Sequence, residues 1–356
     1  MLQTLTVSTA ASPVGLTVRL PLQSVSKSFP PPSSRPTYDE LPIRSKDPYK
    51  SAWGLYGDHD ELGTLNMLSP TLVQQAVGEI ESNMVFPLAL PLDVPLRPMN
   101  PARLPPVHHM ICKGHANDDS LTFNTQASSH WDGLRHYPYQ KSGLFYNGTT
   151  QTEVDGGLRD SGRIGVQNLA QNPIVSSAIL IDFCSYAEAH NIHYSAFSPR
   201  RVTLSELQAA LKYQGVSPQS GDVLLIRFGW TKQYLALSVA EQDDLANKTG
   251  TSRAHVGVEA SDEMARFLWD SRFLAVASDT NAFEAQPFAL FGDEKEKVAL
   301  HEVLLSGWGM PIGELWFLED LAAECAARQR WRFYLSSAPL NLTSGVASPP
   351  NAVAIL

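Results

Sequence analysis

Compact apolar runs alternate with amphipathic segments through the middle of the chain. SSAILIDF (176–183) and GDVLLIRFGW (221–230) are short runs with consecutive apolar positions, which is typical of buried strands. Between them, TLSELQAALKYQG (203–215) opens with a capping box from Thr203 to Glu206 and closes on a glycine, so it predicts a helix. Strand, helix and strand in this order indicate an α/β protein with a mixed or parallel sheet.

The alternation continues towards the C-terminus. SDEMARFLWDS (261–271) has apolar residues at helical spacing behind Ser261 as the N-cap, and FLAVASDT (273–280) follows as a strand. GELWFLEDLAAECAARQ (313–329) has apolar residues at i, i+3, i+4 and i+7. This spacing predicts a helix that carries Glu314 in its first turn.

The two ends of the chain lack this periodicity. Residues 1–38 contain no acidic residue, are rich in Ser, Thr and Pro, and include the breaker cluster PPPSSRP. Organelle transit peptides and disordered tails share this composition, so both interpretations stay open. Residues 337–356 hold turn formers and short apolar pieces, which predicts loops and one strand. We therefore expect an extension at 1–38 and a single domain over 39–356.

Composition narrows the class of partner. A chain of 356 residues with 43% hydrophobic residues can bury a large core. Its formal net charge of −9 argues against a nucleic-acid partner, which requires a basic surface, and favours a small-molecule substrate. Three widely spaced cysteines without a C-x-x-C motif favour a reducing, cytoplasmic compartment over a disulfide framework. Because no apolar run reaches the roughly 18 residues that span a bilayer, no membrane partner is expected.

One stretch, QASSHWDGLRH (126–136), concentrates groups that carry chemistry. One residue separates His130 from Asp132, so an extended backbone points both side chains to the same face. Imidazole and carboxylate are ligands that Zn²⁺, Mn²⁺ or Fe²⁺ accepts. His136 can reach the same cavity after a turn. Gln126 lies four residues before His130, so on a strand its side chain would point to the same face as His130, as a weak ligand or as a group that orients one. The spacing predicts a metal site with a proton shuttle, and a surface hydrogen-bonded pair is the alternative.

In these residues the sequence resembles the metal-dependent cyclase family, which includes kynurenine formamidases and isatin hydrolases. The family pattern H-x-G-T-H-x-D-x-P-x-H aligns with QASSHWDGLRH without a gap, and His130, Asp132 and His136 fall on its second His, its Asp and its last His. Three further stretches are similar to the family, and the likeness spans about residues 49–355. They are WGLYGDHDELGTLNMLSP (53–70), SGDVLLIRFGW (220–230) and SAPLNLTSGVASPPNAVAI (337–355).

The resemblance implies a fold and a metal centre. The fold is α/β, a swivelling β/β/α arrangement with a small barrel-like mixed sheet and surrounding helices, which usually forms a homo-oligomer. The implied metal ligands are His130, Asp132, His301 and Glu314, with Gln126 as a weak ligand or an orienting group. Gln126 stands where the family has its first metal-binding His, so one metal position is weakened. The cofactor is a divalent metal, Zn or Mn, and one ion or two ions both stay open.

The resemblance also implies a reaction. The metal would polarise the carbonyl of a small amide, formamide or lactam and activate a water, which would hydrolyse the carbon–nitrogen bond. His136 would act as general base and then as acid to the leaving nitrogen. Trp53 and Trp131 are candidate substrate contacts, and for both the alternative is a core tryptophan. A non-redox cyclase or dehydratase of a natural-product intermediate and a catalytically silent binding protein are the competing functions.

Overall fold

The computed structural model describes residues 35–156 and 161–356, so expectations for residues 1–34 lie outside the described residues. Within these ranges the strands are β1 (Val85–Pro87), β2 (Val107–Cys112), β3 (Asn117–Thr122), β4 (His130–Asp132), β5 (Ile174–Asp182), β6 (Arg201–Val202), β7 (Val223–Arg227), β8 (Gly257–Val258), β9 (Ala275–Ser278), β10 (Phe291–Gly292), β11 (Lys297–Val298), β12 (Ile312–Glu314), β13 (Arg332–Ser337), β14 (Ala347–Ser348) and β15 (Ala352–Ile355). The α-helices are α1 (Pro70–Val77), α2 (Gln151–Val154), α3 (Gln167–Gln171), α4 (Phe183–Ala189), α5 (Leu204–Gln214), α6 (Trp230–Leu235), α7 (Val239–Ala246), α8 (Asp262–Asp270) and α9 (Glu319–Arg328). A π-helical segment, Glu302–Gly307, precedes β12.

One mixed sheet dominates the described part of the chain. Its nine strands lie in the order β1-β15-β13-β5-β7-β9-β12-β4-β14. Strands β5, β7, β9 and β12 run parallel, and antiparallel strands extend the sheet on both sides. The predicted mixed α/β architecture is confirmed. No helix in the described ranges is both long enough and apolar enough to cross a bilayer.

The central strands are apolar on consecutive positions because both faces of the sheet are covered. In β5, Ile179 and Ile181 belong to the larger apolar core, whereas Ala178 and Leu180 belong to a second core on the other face. Strand β7 divides its residues between the same two cores. The short apolar runs of the sequence are therefore strands buried on both sides, as predicted.

Two helices follow their local signals closely. In α5, the Thr203 hydroxyl accepts from the Glu206 N–H, the Glu206 carboxylate caps the Thr203 N–H, and Gly215 ends the helix with φ +66°. In α8, the Ser261 side chain accepts from the Met264 N–H. Side-chain caps satisfy backbone donors that a helix start leaves unpaired, so these boundaries are set locally.

The prediction of a helical Glu314 is wrong. Glu314 is the last residue of β12, and α9 begins only at Glu319. Leu315 has φ +55°, which interrupts any helix between the two. Cross-strand pairing of β12 with β4 and β9 overrides the helical spacing of the apolar residues. At the C-terminus, residues 337–356 contain two strands, β14 and β15, where one was expected.

The boundary of the N-terminal extension also needs correction, because residues 35–38 pack on α8. The Arg35 guanidinium lies 3.6 Å from the centre of the Trp269 ring, whose Nε1 donates to the Pro36 carbonyl at 2.9 Å. Tyr38 is fully buried, and its hydroxyl donates to Asp262 at 2.7 Å. Cation–π contact and ring burial tie this segment to the domain.

Tyr38→Ala is therefore expected to lower the free energy of unfolding by about 3 kcal/mol or more, since it removes a fully buried ring. Deletion of residues 1–34, which lack a periodic apolar pattern, should leave the melting temperature nearly unchanged. Urea and thermal unfolding measure both effects, with Tyr213→Ala at an exposed ring as the matched control. A large loss of stability in the deletion would show that residues 1–34 support the domain.

Candidate metal centre

Two adjacent strands carry the acidic and imidazole side chains of the site. His130 and Asp132 occupy alternate positions of β4, and the register places Glu314 of β12 directly opposite His130. Residues opposite each other in an antiparallel pair share a face, so these three side chains point to the same side of the sheet. His301 reaches them from the residue before the π-helical segment.

The four side chains form one buried cluster. The Nε2 atom of His130 lies 3.4 Å from Asp132 Oδ1 and 3.4 Å from Glu314 Oε2. His301 Nε2 lies 3.0 Å from Glu314 Oε1 and 4.0 Å from Asp132 Oδ2. One potential ligand atom from each of His130, Asp132 and Glu314 falls within 4.8 Å of the others. The structure thus brings together the side chains of these four residues, which the family resemblance implied as metal ligands.

Hydrogen bonds behind the cluster orient both imidazoles. His130 Nδ1 lies 2.7 Å from the Ser128 carbonyl, which can only accept, so Nδ1–H donates and Nε2 faces the cluster. His301 Nδ1 is paired with the carboxylate of Glu284, which also accepts from the His301 backbone N–H at 2.9 Å. A carboxylate behind an imidazole fixes the ring and raises its basicity. Sequence reasoning missed Glu284, which lies 17 residues before His301 without a recognisable motif.

The electrostatics of the cluster favour a cation. Burial opposes the charged form of His130, but the carboxylates of Asp132 and Glu314 raise its pKa to about 9. Burial also opposes ionisation of Asp132, yet the charges of His136 and His130 lower its pKa. Burial and the charge of Asp132 oppose ionisation of Glu314 as well, yet its contacts with His130 and His301 lower its pKa. The cluster therefore holds two buried ionised carboxylates, which need positive charge beside them.

Two buried atoms of the cluster lack hydrogen-bond partners. Among the described residues, neither His130 Nε2 nor Asp132 Oδ2 has such a partner. Buried polar atoms are almost always paired, so two orphaned atoms inside one cluster of imidazoles and carboxylates indicate an external ligand. Nitrogen and carboxylate oxygen are the donor set of Zn²⁺ or Mn²⁺, so the residues present fit a divalent metal ion.

Gln126 and His136 lie against the open side of the cluster. Gln126 is in a turn rather than on a strand, so its predicted strand parity is wrong. Its amide nevertheless donates to Asp132 Oδ1 at 2.6 Å and lies 3.3 Å from both ring nitrogens of His136. His136 Nε2 is 3.8 Å from Asp132 Oδ2, and its side chain is 22% exposed. Burial lowers the pKa of His136 below its ordinary value.

The two candidate tryptophans lie in the cores. Trp131 points to the opposite face of β4, is fully buried, and packs edge-on against Trp316 at 4.7 Å between ring centres. A direct substrate contact does not fit that position. Trp53 is 7% exposed, packs edge-on against Tyr139, and donates from Nε1 to the Ser306 carbonyl at 2.6 Å. Its contacts are those of a core residue, and its role as a substrate wall stays a prediction.

Two half-buried aromatic rings flank His301 instead. Phe288 lies 5.2 Å and Tyr137 lies 5.7 Å from the His301 ring centre, and the two rings stand perpendicular to each other. Tyr137 also neighbours the His136 ring at 6.0 Å. Sequence reasoning missed both. Tyr137 directly follows His136, so its proximity to the motif was the available signal.

The fold and the cluster define an α/β protein whose sheet buries two histidines and two carboxylates where a divalent metal fits. The Cyclase family model matches residues 48–285, and the chain belongs to this family. The predicted family and its cyclase-type fold, with a curled, half-barrel sheet, are confirmed.

Solved structures agree with this assignment. A protein described as a novel cyclase is 27% identical with a TM-score of 0.74, and the alignment covers 86% of this chain and 99% of that one. Isatin hydrolase A from Ralstonia solanacearum is 17% identical with a TM-score of 0.52, covering 80% and 95%. An isatin hydrolase bound to the product analogue thioisatinate is 16% identical with a TM-score of 0.50, covering 81% and 99%. The two hydrolases show a shared fold alone, and no curated protein matches the chain significantly.

Proposed function

We propose that the protein is a metal-dependent hydrolase of a carbon–nitrogen bond in a small amide, formamide or lactam. The observation that carries this proposal is the pair of orphaned buried atoms, His130 Nε2 and Asp132 Oδ2, inside a nitrogen and oxygen donor set. His130 Nε2 lies 3.4 Å from two carboxylate oxygens, and Asp132 Oδ2 lies 3.8 Å and 4.0 Å from two imidazole nitrogens. These groups approach one another without forming hydrogen bonds, which is the arrangement that an ion between them would complete. The isatin hydrolases that share the fold make hydrolysis the first reaction to test.

In this proposal His130, Asp132, His301 and Glu314 hold a divalent ion, Zn²⁺ or Mn²⁺. When bound, the ion supplies Lewis acidity towards a substrate carbonyl and towards water. Glu284 fixes the ring of His301 through its Nδ1 and keeps Nε2 directed at the cluster. The surrounding residues therefore hold the ligand side chains in position before the substrate binds.

His136 is the proton carrier in the proposal. Its lowered pKa keeps the imidazole neutral at pH 7, so it can accept a proton from the attacking water and return it to the leaving nitrogen. Gln126, 3.3 Å from the His136 ring nitrogens, holds the ring beside Asp132. Tyr137 and Phe288 offer aromatic surface to a planar substrate.

The direct test combines metal analysis with a substrate screen. Purified protein is analysed for bound metals and incubated with aromatic amides, formamides and lactams, and the products are resolved by mass. Hydrolysis adds the mass of one water to the substrate, cyclisation leaves the mass unchanged, and dehydration removes one water. A cyclase or dehydratase thus gives a different result, and a silent binding protein gives no product although metal is bound.

A change at Gln126 tests how many ions the centre holds. Gln126→His restores the imidazole of the family pattern beside Asp132 and is expected to raise the affinity for Zn²⁺ or to admit a second ion. Equilibrium dialysis followed by elemental analysis measures both quantities. Gln140→His, at an exposed glutamine, controls for adventitious binding to a new histidine. Unchanged stoichiometry and affinity would place Gln126 outside the reach of the ion.

A further inference from the structure

Two segments of the chain set the distance between the proposed proton carrier and one candidate metal ligand. The loop 137–140 directly follows His136, and the π-helical segment Glu302–Gly307 directly follows His301. The two imidazole ring centres lie 6.4 Å apart. π-Helical turns are rare and occur frequently at functional sites. Contacts between the loop and the π-helical segment therefore decide where the His136 ring lies relative to His301.

The Glu302 carboxylate joins these two segments. Its Oε2 accepts from the backbone N–H of Gln140 at 2.7 Å, and its Oε1 accepts from the backbone N–H of Ala299 at 2.8 Å. Glu302 is 2% exposed, and within the part of the chain that the structure describes no basic side chain forms an ion pair with it. Burial of a carboxylate without a cation is costly, and an apolar side chain would fill the space at a lower cost. An apolar side chain could not, however, bridge two N–H donors from separate segments.

Two further contacts belong to the same junction. The fully buried Ser306 hydroxyl donates to the Tyr137 carbonyl at 2.7 Å. Gly307 approaches Tyr139 so closely that a Cβ atom at position 307 would lie 2.5 Å from the tyrosine hydroxyl oxygen. Residues 141–143, which follow the loop, are exposed. The bond from Gln140 to the carboxylate is therefore the last tie before the chain leaves the junction.

We propose that Glu302 is a positioning residue of the metal centre. Its carboxylate keeps the loop 137–140 against the π-helical segment and thereby holds the His136 ring at a fixed distance from His301. Glu302 acts through His136 and touches no reacting group. This inference rests on the proposed function for the role of His136 in turnover, whereas the junction itself requires neither metal nor substrate.

Glu302→Gln tests the carboxylate bridge. The amide keeps the size of the side chain, but an N–H₂ group replaces one of the two acceptor oxygens, so one backbone N–H loses its partner. Misplacement of a catalytic group by about 1 Å can cost about a hundredfold in rate. We expect kcat of the metal-loaded protein to fall by about tenfold or more, with KM and metal content near the parental values. Glu294→Gln, at an exposed glutamate, is the matched control.

A double-mutant cycle with His136→Ala separates positioning from a general loss of stability. If Glu302 acts through His136, the double variant should have the kcat of His136→Ala alone, because the ring that Glu302 positions is already absent. Losses that multiply in the double variant, or a parental kcat in Glu302→Gln, would overturn the proposal. If Glu302→Gln protein does not fold, Glu302→Asp replaces it in the cycle, since its carboxylate is withdrawn by one methylene group from both N–H donors.

Proton NMR measures the junction without metal or substrate. The ring centres of Tyr137 and His301 lie 5.7 Å apart, so nuclear Overhauser contacts between their ring protons are expected in the metal-free parent. These contacts should weaken in Glu302→Gln protein. If no substrate is turned over, the proposed function fails, and this measurement still decides whether Glu302 holds the loop. Contacts that are absent from the parent, or equally strong in both proteins, would refute the positioning role.

Discussion

Asp132→Ala protein is expected to lose both its metal and its turnover. Asp132 is fully buried, its Oδ1 accepts from Gln126, and its Oδ2 faces the cluster without a partner. Removal of this carboxylate takes away an anionic ligand. It also removes one of the two carboxylates that raise the pKa of His130 and balance its positive charge. We expect metal content to fall below detection and kcat/KM to fall by about a thousandfold or more, as for loss of a group on which a whole catalytic unit depends.

Two further variants serve as controls for the loss of charge and for the folding of the protein. Asp132→Asn keeps the shape of the side chain and should also lose the metal, whereas Asp320→Ala, at an exposed position of α9, should keep it. Elemental analysis, circular dichroism and kinetics are measured on the same preparations. Full metal occupancy in folded Asp132→Ala protein would remove Asp132 from the centre.

His136→Ala is expected to separate chemistry from metal binding. The His136 ring lies beside Asp132 and Gln126, and it is the partly exposed histidine of the cluster. If His136 is the proton carrier, its removal should lower kcat by about a hundredfold or more, while metal content stays near that of the parent. His109→Ala, on the exposed strand β2, is the matched control.

The pH dependence of kcat/KM is an independent test of the role of His136. Because burial lowers the pKa of His136, the parental kcat/KM should rise with pH through a value below the ordinary 6.5 and stay level around neutrality. This step should be absent from the His136→Ala profile. Loss of metal together with activity would make His136 a ligand, and parental activity in the variant would exclude it as the proton carrier.

The parts of the fold that could be predicted from the sequence are those that depend on interactions between neighbouring residues. The caps of α5, the N-cap of α8 and the alternation of His130 with Asp132 depend on neighbouring residues, and each is found as predicted. The apolar neighbours of Glu314 have helical spacing and predict a helix, whereas strand pairing decides its backbone conformation. Only the folded sheet brings this carboxylate opposite His130.

The missed parts of the site depend on contacts between distant segments. Glu284 meets His301 across 17 residues, and Arg103 meets Gln126 across 23 residues, without a periodic pattern that marks either pair. The homo-oligomer that the family resemblance implied stays a prediction.

Strand β4 contributes side chains both to the candidate metal centre and to the core on the opposite face of the sheet. His130 and Asp132 face the cluster, and Trp131 between them fills the opposite core against Trp316. An insertion or deletion that shifts this strand by one residue would turn the indole towards the candidate metal centre and bury the His130 and Asp132 side chains in apolar packing. Laboratory evolution towards new substrates should therefore keep the reading frame of β4 constant and confine length changes to the β2–β3 hairpin, whose residues are all exposed.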